Sequence, residues 1–584
     1  MRRCNTTSDR NRAEARNHEY YGYYIMARNK KHNASVAAAV SVSFFAFSGG
    51  VLAAPTGGSV VKGNAGITQS GLETLINQTS AKAVINWQDF SIDAGELVKF
   101  MQQAGNSSVT LNRVTSDTVS QIKGALTANG NIFLVNPNGI AFGADATVDV
   151  AGLVASTFDI ADQDFMDGKF NFTGDMMSSA SISNDGELKV GDGGFVYLIA
   201  PNVENTGHII ANVGSVTLGS DGTYNIDLAG NGLIKFEVSN ATLNGATSSV
   251  ENSGDITADH VLLSGSQTRE VMSSVVNTGD ITAATELTMA GDTVAQSGTI
   301  NAQSTIVEAD QNIVSSGGSI SGSSATLKAG NNIGTSSQSL YTNVDSLSVE
   351  NDSGNAYVNE ADGLNELNVA TGGNAYVSLN TGDDDIDTSN NASVNLADNI
   401  LTTSGTVTGQ VGVTEKSGGI TLDNANVDGD LSVTAAGVIN GAGNADGDAR
   451  ANHLSLNTSV EGASIGGENN PLRIDADTLS ASANKGHIVI SDTAGDVALE
   501  RITTGDNSAE EGLRAIINAE DGNLNGVATG GPNVEAWATN LKADGSIGSA
   551  GHAVTTAVDV LSASTQDGGI NINDVDGELV VNSV

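Results

Sequence analysis

The chain has 584 residues, 70 of them Gly and five Pro, with 25 Lys and Arg against 67 Asp and Glu. Charged residues make up only 16%, below the level of solvated disordered chains, and so frequent a glycine argues against long uninterrupted helices. The absence of a Gly-X-Y period, with so little proline, excludes collagen. Residues 1–54 hold eight Lys and Arg and three Asp and Glu, which leaves 17 basic and 64 acidic side chains, a net charge of −47, on residues 55–584. A surface of that sign argues against nucleic acid and anionic lipid as partners, because both need Lys and Arg to neutralise phosphates.

The first element is a targeting segment. Arg28, Lys30 and Lys31 precede an apolar run at 36–47 (VAAAVSVSFFAF), followed by small residues up to Ala53 and Ala54. That order gives the basic, apolar and cleavage regions of a secretory signal peptide, and the run is short for a membrane span. Cleavage after Ala53 or Ala54 starts the mature chain near Pro55. Residues 1–25 have no apolar period, and Met26 opens a signal peptide of ordinary length, so translation is expected to start there; an extended signal region is the alternative. The sole cysteine, Cys4, lies in this presequence, which leaves the mature chain without disulfides, a thiolate nucleophile or a Cys-ligated metal.

The next block, 55–300, is dense in specific motifs. Strand-like alternation around Trp87 and Phe90 is followed by a segment containing Asn112 and Arg113. Then come Asn129-Gly130, the run Asn136-Pro137-Asn138-Gly139-Ile140, and Val148, Val150, Leu153 and Phe158. Pro at the second and Gly at the fourth position of 136–139 favour a type I turn, with Asn136 able to bond its own downstream backbone. In order and density these motifs resemble the secretion domain of two-partner-secretion exoproteins, the filamentous-haemagglutinin-like family, over about 240 residues. A second Asn-Pro-Asn-Leu motif of some members is missing, since residues 101–105 read MQQAG. That places the resemblance in the branch of the high-molecular-weight adhesins and haemopexin-binding exoproteins. The resemblance implies an N-terminal secretion-domain cap on a β-helix. It also implies a partner, an outer-membrane β-barrel transporter with periplasmic recognition modules. The 136–140 turn is expected to act first as a fold determinant and second as a contact surface.

From about residue 181 a loose repeat sets in. Asn184-Asp-Gly186, Asn205-Thr-Gly207, Asn252-Ser-Gly254 and Asn277-Thr-Gly279 each precede a polar and then an apolar residue, and Ser297-Gly298 and Gly317-Gly318 continue the series. The pairs Ile281/Val294, Ile300/Ile313 and Ile320/Ile333 share one offset. A period of about 20 with short β-branched runs between Asn and Gly turns predicts an all-β fold, a right-handed parallel β-helix, with Gly and Asn at φ > 0 corners. At about 4.8 Å per coil the mature chain would form a rod on the order of 120 Å long. A longer repeat occupies the rod at 301–584. Ile333, Ile465 and Ile547, each before a Gly, are followed at equal offset by Leu347, Leu479 and Leu561.

Sites for chemistry are sparse. His208, His260, His453, His487 and His552 fall in no ligand spacing, and no cofactor or metal is expected. Asp383-Asp384-Asp385-Ile386-Asp387, Asp428-Gly429-Asp430 and Asp446-Gly447-Asp448 read as solvated corners rather than Ca²⁺ sites. β-Helix folds also host polysaccharide lyases and glycosidases, but the 17 basic residues form no constellation with carboxylates on adjacent coils, and no enzymatic activity is expected. The expectation is a secreted or surface-exposed filamentous adhesin with a host-cell or matrix receptor. The alternatives are a haem or haemopexin scavenger and the stalk of a contact-dependent toxin. No apolar span follows the signal region, and the alternating segment before Val584 has no cap, so a longer natural product is expected.

Overall fold

The computed structural model describes residues 55–584 apart from 221–222, 227–233, 237–245, 266–270, 362–363, 381–390, 398, 405–406, 417, 506–511, 529 and 576–578. Met26, the Ala53 and Ala54 cleavage positions and the acidic run at 383–387 lie outside the described residues. Strand accounts for 65% of the chain and winds into a β-solenoid of about 20 turns. At about 4.8 Å per turn that is a rod on the order of 100 Å. It is shorter than a uniform 20-residue coil implies because some coils carry excursions: Asn205 and Asn252, which bond each other on neighbouring coils, are 47 residues apart.

The N-terminal end is covered by antiparallel strands. Ser59–Lys62 pairs with Lys82–Trp87, and Ala65–Ser70 with Glu73–Gln78. From Glu73–Gln78 the ladder turns parallel and passes through Leu97–Gln102 and Ala125–Ala128 to Thr147–Val150. It continues through Asp280–Gln296, Thr299–Ser315 and Ser319–Ala329 to Leu340–Asn351. Parallel in-register stacking puts like residues over like. Ile256, Ile281, Ile300 and Ile320 form one buried column, and Val294, Ile313 and Ile333 another. These are the residues whose shared offset marked the period.

The Asn-x-Gly repeat has two structural causes. The asparagines point inward and form a ladder: Asn184 Nδ2 donates to Asn205 Oδ1 (2.7 Å), Asn205 to Asn252 (2.7 Å), Asn252 to Asn277 (2.8 Å) and Asn277 to Gln296 Oε1 (3.0 Å). Each donor amide also reaches the carbonyl of its own downstream glycine. All five are buried, so each rung satisfies groups that would otherwise cost about 1–3 kcal/mol unpaired. The glycines are required by proximity. A Cβ on Gly207, Gly254, Gly279 or Gly298 would lie 2.0–2.2 Å from the carbonyl oxygen of the glycine one coil earlier. Only Gly317 and Gly318 of this series take the positive φ expected of corners, 129° and 76°.

The longer repeat is a loop leaving the solenoid. Ile333, Ile465 and Ile547 each bridge to the coil before and the coil after. Gly334, Gly466 and Gly548 then turn the chain out at φ 63°, 65° and 69°. Paired backbone bonds close each loop, between Thr335 and Gln338, Gly467 and Asn470, and Ser549 and His552. The returning strands, Leu340–Asn351, Leu472–Ala483 and Val554–Thr565, have equal length. Under each lies a carboxylate from the next coil. Glu360 accepts the Val344 amide (3.2 Å), Asp492 the Ala476 amide (3.2 Å) and Asp574 the Val558 amide (3.4 Å).

Two acidic motifs depart from the corner expectation, although Asp428 is exposed as expected. Asp428-Gly429-Asp430 opens the strand Asp428–Ala435, with Gly429 stacked directly on Gly409. Asp448 is buried and accepts the amides of Gly443 (2.8 Å), Asn444 (2.9 Å) and Arg473 (2.9 Å).

The buried Asp492 makes stability depend on pH. Burial, reinforced by Asp475 and Glu520 and opposed by the Ala476 amide, pushes its carboxyl up to about 7. The folded chain therefore holds a proton that the unfolded chain releases near pH 4, and this group's stabilisation is lost as pH rises from about 4 through about 7. Asp492→Asn removes that dependence. The variant is expected to match the wild type at pH 4 and to exceed it by about 1–3 kcal/mol at pH 8. Urea unfolding at both pH values checks this; a variant less stable at pH 8 would contradict the assignment.

Candidate functional site

The 136–140 turn sits where three coils meet. Its four-residue turn is closed by Gly139 N–H donating to Asn136 O (3.0 Å), and the Asn138 amide donates to Asn136 Oδ1 (2.9 Å). Asn136 has no exposed area; its Nδ2 donates to Thr118 O (2.9 Å) and Ser120 Oγ (3.0 Å) on the preceding coil. Its backbone N–H donates to Ser156 O on the following coil (3.0 Å). Asn138, half-buried, donates to Ser116 O (2.8 Å). Gly139, at φ 118°, accepts the Ser120 amide, and a Cβ there would come within 3.0 Å of Ser181 O. Ile140 is buried between Ser120 and Ile182, while Pro137 is exposed. The side chains of this turn bind the coils to one another, and proline alone is fully presented to solvent.

The other quoted residues gather nearby. Trp87 Nε1 donates to Asn112 Oδ1 (3.0 Å) inside the core, and the Trp87 ring meets Phe90 edge-on at 5.4 Å. Phe133 points to the outer face, where sequence reasoning foresaw no packing. There the α-helix Asp162–Asp167 and a small antiparallel sheet, Phe170–Thr173, Thr223–Ile226 and Ile234–Phe236, cover the solenoid wall. Six of the chain's 13 Phe lie in this second core: Phe133, Phe158, Phe165, Phe170, Phe172 and Phe195. Phe172 and Tyr224 stack at 4.7 Å, and Tyr224 Oη donates to Ser156 Oγ (2.6 Å), beside the carbonyl that holds Asn136. The signal available in the sequence was the density of Phe between 133 and 195.

Arg113 fastens this layer. Its guanidinium reaches Asp159 (2.8 Å), Asp162 (2.6 Å) and Ile160 O (2.5 Å), and its side chain is 14% exposed. Burial opposes the charge, but hydrogen bonds to Asp162 and Asp159 outweigh it and hold the pKa above the usual arginine value. The fork geometry suits three acceptors at once. Among the described residues no group of three or more His, Cys, Asp and Glu could hold a metal ion, and no helix is long and apolar enough to cross a membrane.

Comparisons with known proteins bear on the same region. Residues 52–321 match the family described as the TPS secretion domain. Two proteins of Haemophilus influenzae named heme/hemopexin-binding protein are similar. One, from strain ATCC 51907 / DSM 11121 / KW20 / Rd, is 35% identical over 218 residues, 36% of this chain and 23% of that protein. The other is 46% identical over 85 residues, 15% of this chain and 9% of that protein. The matches thus take in less than a quarter of those relatives' length. Among solved structures, the HMW1 secretion domain from Haemophilus influenzae is 23% identical with a TM-score of 0.39, covering 80% of this chain and all of that one. The filamentous hemagglutinin secretion domain is 13% identical with a TM-score of 0.31, covering 53% and 99%. A TPS secretion domain implies an outer-membrane transporter and export across that membrane. By the family match, residues 52–321 form a TPS secretion domain, which supports a two-partner-secretion exoprotein.

Proposed function

We propose that this exoprotein is a surface-interaction protein, an adhesin. In this reading residues 55–300 are recognised by an outer-membrane β-barrel with periplasmic modules, and the rod at 301–584 meets a host-cell or matrix receptor. The observation that carries the reading is continuity. The ladder Asp280–Gln296, Thr299–Ser315, Ser319–Ala329 runs across residue 300 without a change of register direction. A secretion domain that simply continues as coil provides reach and outward-facing side chains rather than an enclosed reaction site. Purified mature protein is expected to bind epithelial monolayers or immobilised matrix saturably; absence of binding to either would refute the adhesin reading. Leader cleavage after Ala53 or Ala54 belongs to the same proposal and is read by N-terminal sequencing of secreted protein.

A second reading, capture of haem or haemopexin, is supported by the names of the two Haemophilus relatives. A haem titration followed by its absorption band separates it from adhesion.

The turn enters through export. Asn136→Ala leaves the Thr118 carbonyl and the Asn138 amide without their partner inside the fold, at a cost of about 2–3 kcal/mol. With the barrel co-expressed, secretion of the full chain is expected to fall several-fold, and less for Asn138→Ala because Asn138 is half-buried. Wild-type secretion by both variants would remove the turn's role.

A further inference from the structure

We propose that Tyr341, Tyr357 and Tyr376 form a binding site for a neutral glycan on the wall of the rod. This deepens the surface-interaction reading and rests on it for the class of partner. The rod at 301–584 contains only four aromatic residues, these three and Trp537. The fold brings the three tyrosines onto consecutive coils. Tyr357 and Tyr376 are direct register partners whose rings stack at 4.8 Å and 10°. Tyr341 pairs with Asn359, two residues along the strand from Tyr357, and is 50% exposed.

The three copies of the looped unit act as an internal control on what the fold requires. Ile333, Gly334, Leu347 and the buried Glu360 have counterparts in both other copies, as described above. The aromatics do not. Where the first copy has Tyr341 and Tyr357, the second has Arg473 and Val489 and the third Thr555 and Asn571, at the same offsets from Ile465 and Ile547. The position of Tyr376 on the following coil is taken by Ile516 in the second copy. The same backbone forms without these rings, so the rings are not framework.

The surroundings select the ligand. Asn332, Asn355 and Asn359 line the same strip, and the loop bearing Gln338 stands beside it. Phenol rings offer flat apolar area, and amides offer paired donors and acceptors. A pyranose presents the complement, a C–H face and a hydroxyl edge. Acidic sugars are disfavoured because no Lys, Arg or His occurs between residues 329 and 415.

Saturation-transfer NMR on the full mature protein tests the site, with lacto-N-neotetraose, cellotetraose and mannopentaose as neutral probes and sialyllactose and a Lys-rich peptide as charged ones. Transfer to ring protons of at least one neutral probe is expected, weakened tenfold or more in Tyr341→Ala. In Tyr357→Phe with Tyr376→Phe, which keeps the rings, it is expected to be largely retained. No transfer to any neutral probe, transfer undiminished in Tyr341→Ala, or binding of charged probes only would overturn the site. Cell binding that survives in Tyr341→Ala would overturn the site while leaving the adhesin reading standing.

Discussion

Gly254→Ala is expected to break the solenoid at its coil, whereas Gly191→Ala, in the same domain, is expected to be neutral or slightly stabilising. The added Cβ at 254 would lie 2.0 Å from Gly207 O and 2.7 Å from the Thr206 carbonyl carbon. Both are backbone atoms, and neither can rotate away. Relief requires the two coils to separate by more than 1 Å, which lengthens three bonds at once: Ser253 N to Asn205 O (2.8 Å), Gly254 N to Asn205 O (3.1 Å) and Asp255 N to Gly207 O (3.0 Å). It also draws Asn205 from Asn252 in the ladder. Overpacking with loss of hydrogen bonds puts the cost above about 3 kcal/mol. At Gly191 a Cβ would meet nothing within 4 Å and φ is not positive, so only the unfolded chain is affected, by about 0.4–1 kcal/mol in favour of the variant. Because a solenoid opens coil by coil, hydrogen exchange at 205–255 is the readout, rather than one melting temperature. Unchanged protection in Gly254→Ala would mean that the coils are not held at this spacing.

How much of this was legible in the sequence depends on how local the cause is. The period was legible because in-register stacking repeats residue types, as in Ile281, Ile300 and Ile320. The glycine positions were legible too, but their reason was not: composition suggests positive φ, whereas the neighbouring coil's carbonyl oxygen excludes a Cβ. Asp448 reads as solvent-facing because a carboxylate in a Gly and Asp context usually is. What buries Asp448 includes an amide from Arg473, 25 residues on. The aromatic layer was hidden for the same reason. Phe172 pairs with Tyr224, some 50 residues later, and no local pattern announces such a partner. The 136–140 turn was found by its residues, yet its engagement of Ser120 and Ser156 belongs to the stacking of coils.

Arg113 supplies that layer's ion pairs to the solenoid, and its removal is the last expected result. Arg113→Ala leaves Asp159 and Asp162 facing the solenoid wall without their cation and the Ile160 carbonyl without its donor. Hydrogen bonds between charged partners contribute about 1.5–3 kcal/mol, and the carboxylates, 46% and 32% exposed, recover part of that from water. The net cost is therefore about 2–3 kcal/mol. It falls on the docking of the helix Asp162–Asp167 and the sheet behind it, because the solenoid core is built from a separate set of side chains. Arg113→Lys keeps the charge but cannot reach three acceptors in one plane, so it restores less than half of the loss. The near-ultraviolet circular dichroism of the Phe172–Tyr224 stack should weaken in Arg113→Ala while the far-ultraviolet strand signal persists. The same variant should be secreted less, since Tyr224 and Asn136 both hold Ser156 and a loosened layer frees one side of the turn. An Arg113→Ala protein with an unchanged aromatic signal and full secretion would show that the aromatic core docks on its own, and that the arginine is a passenger on it.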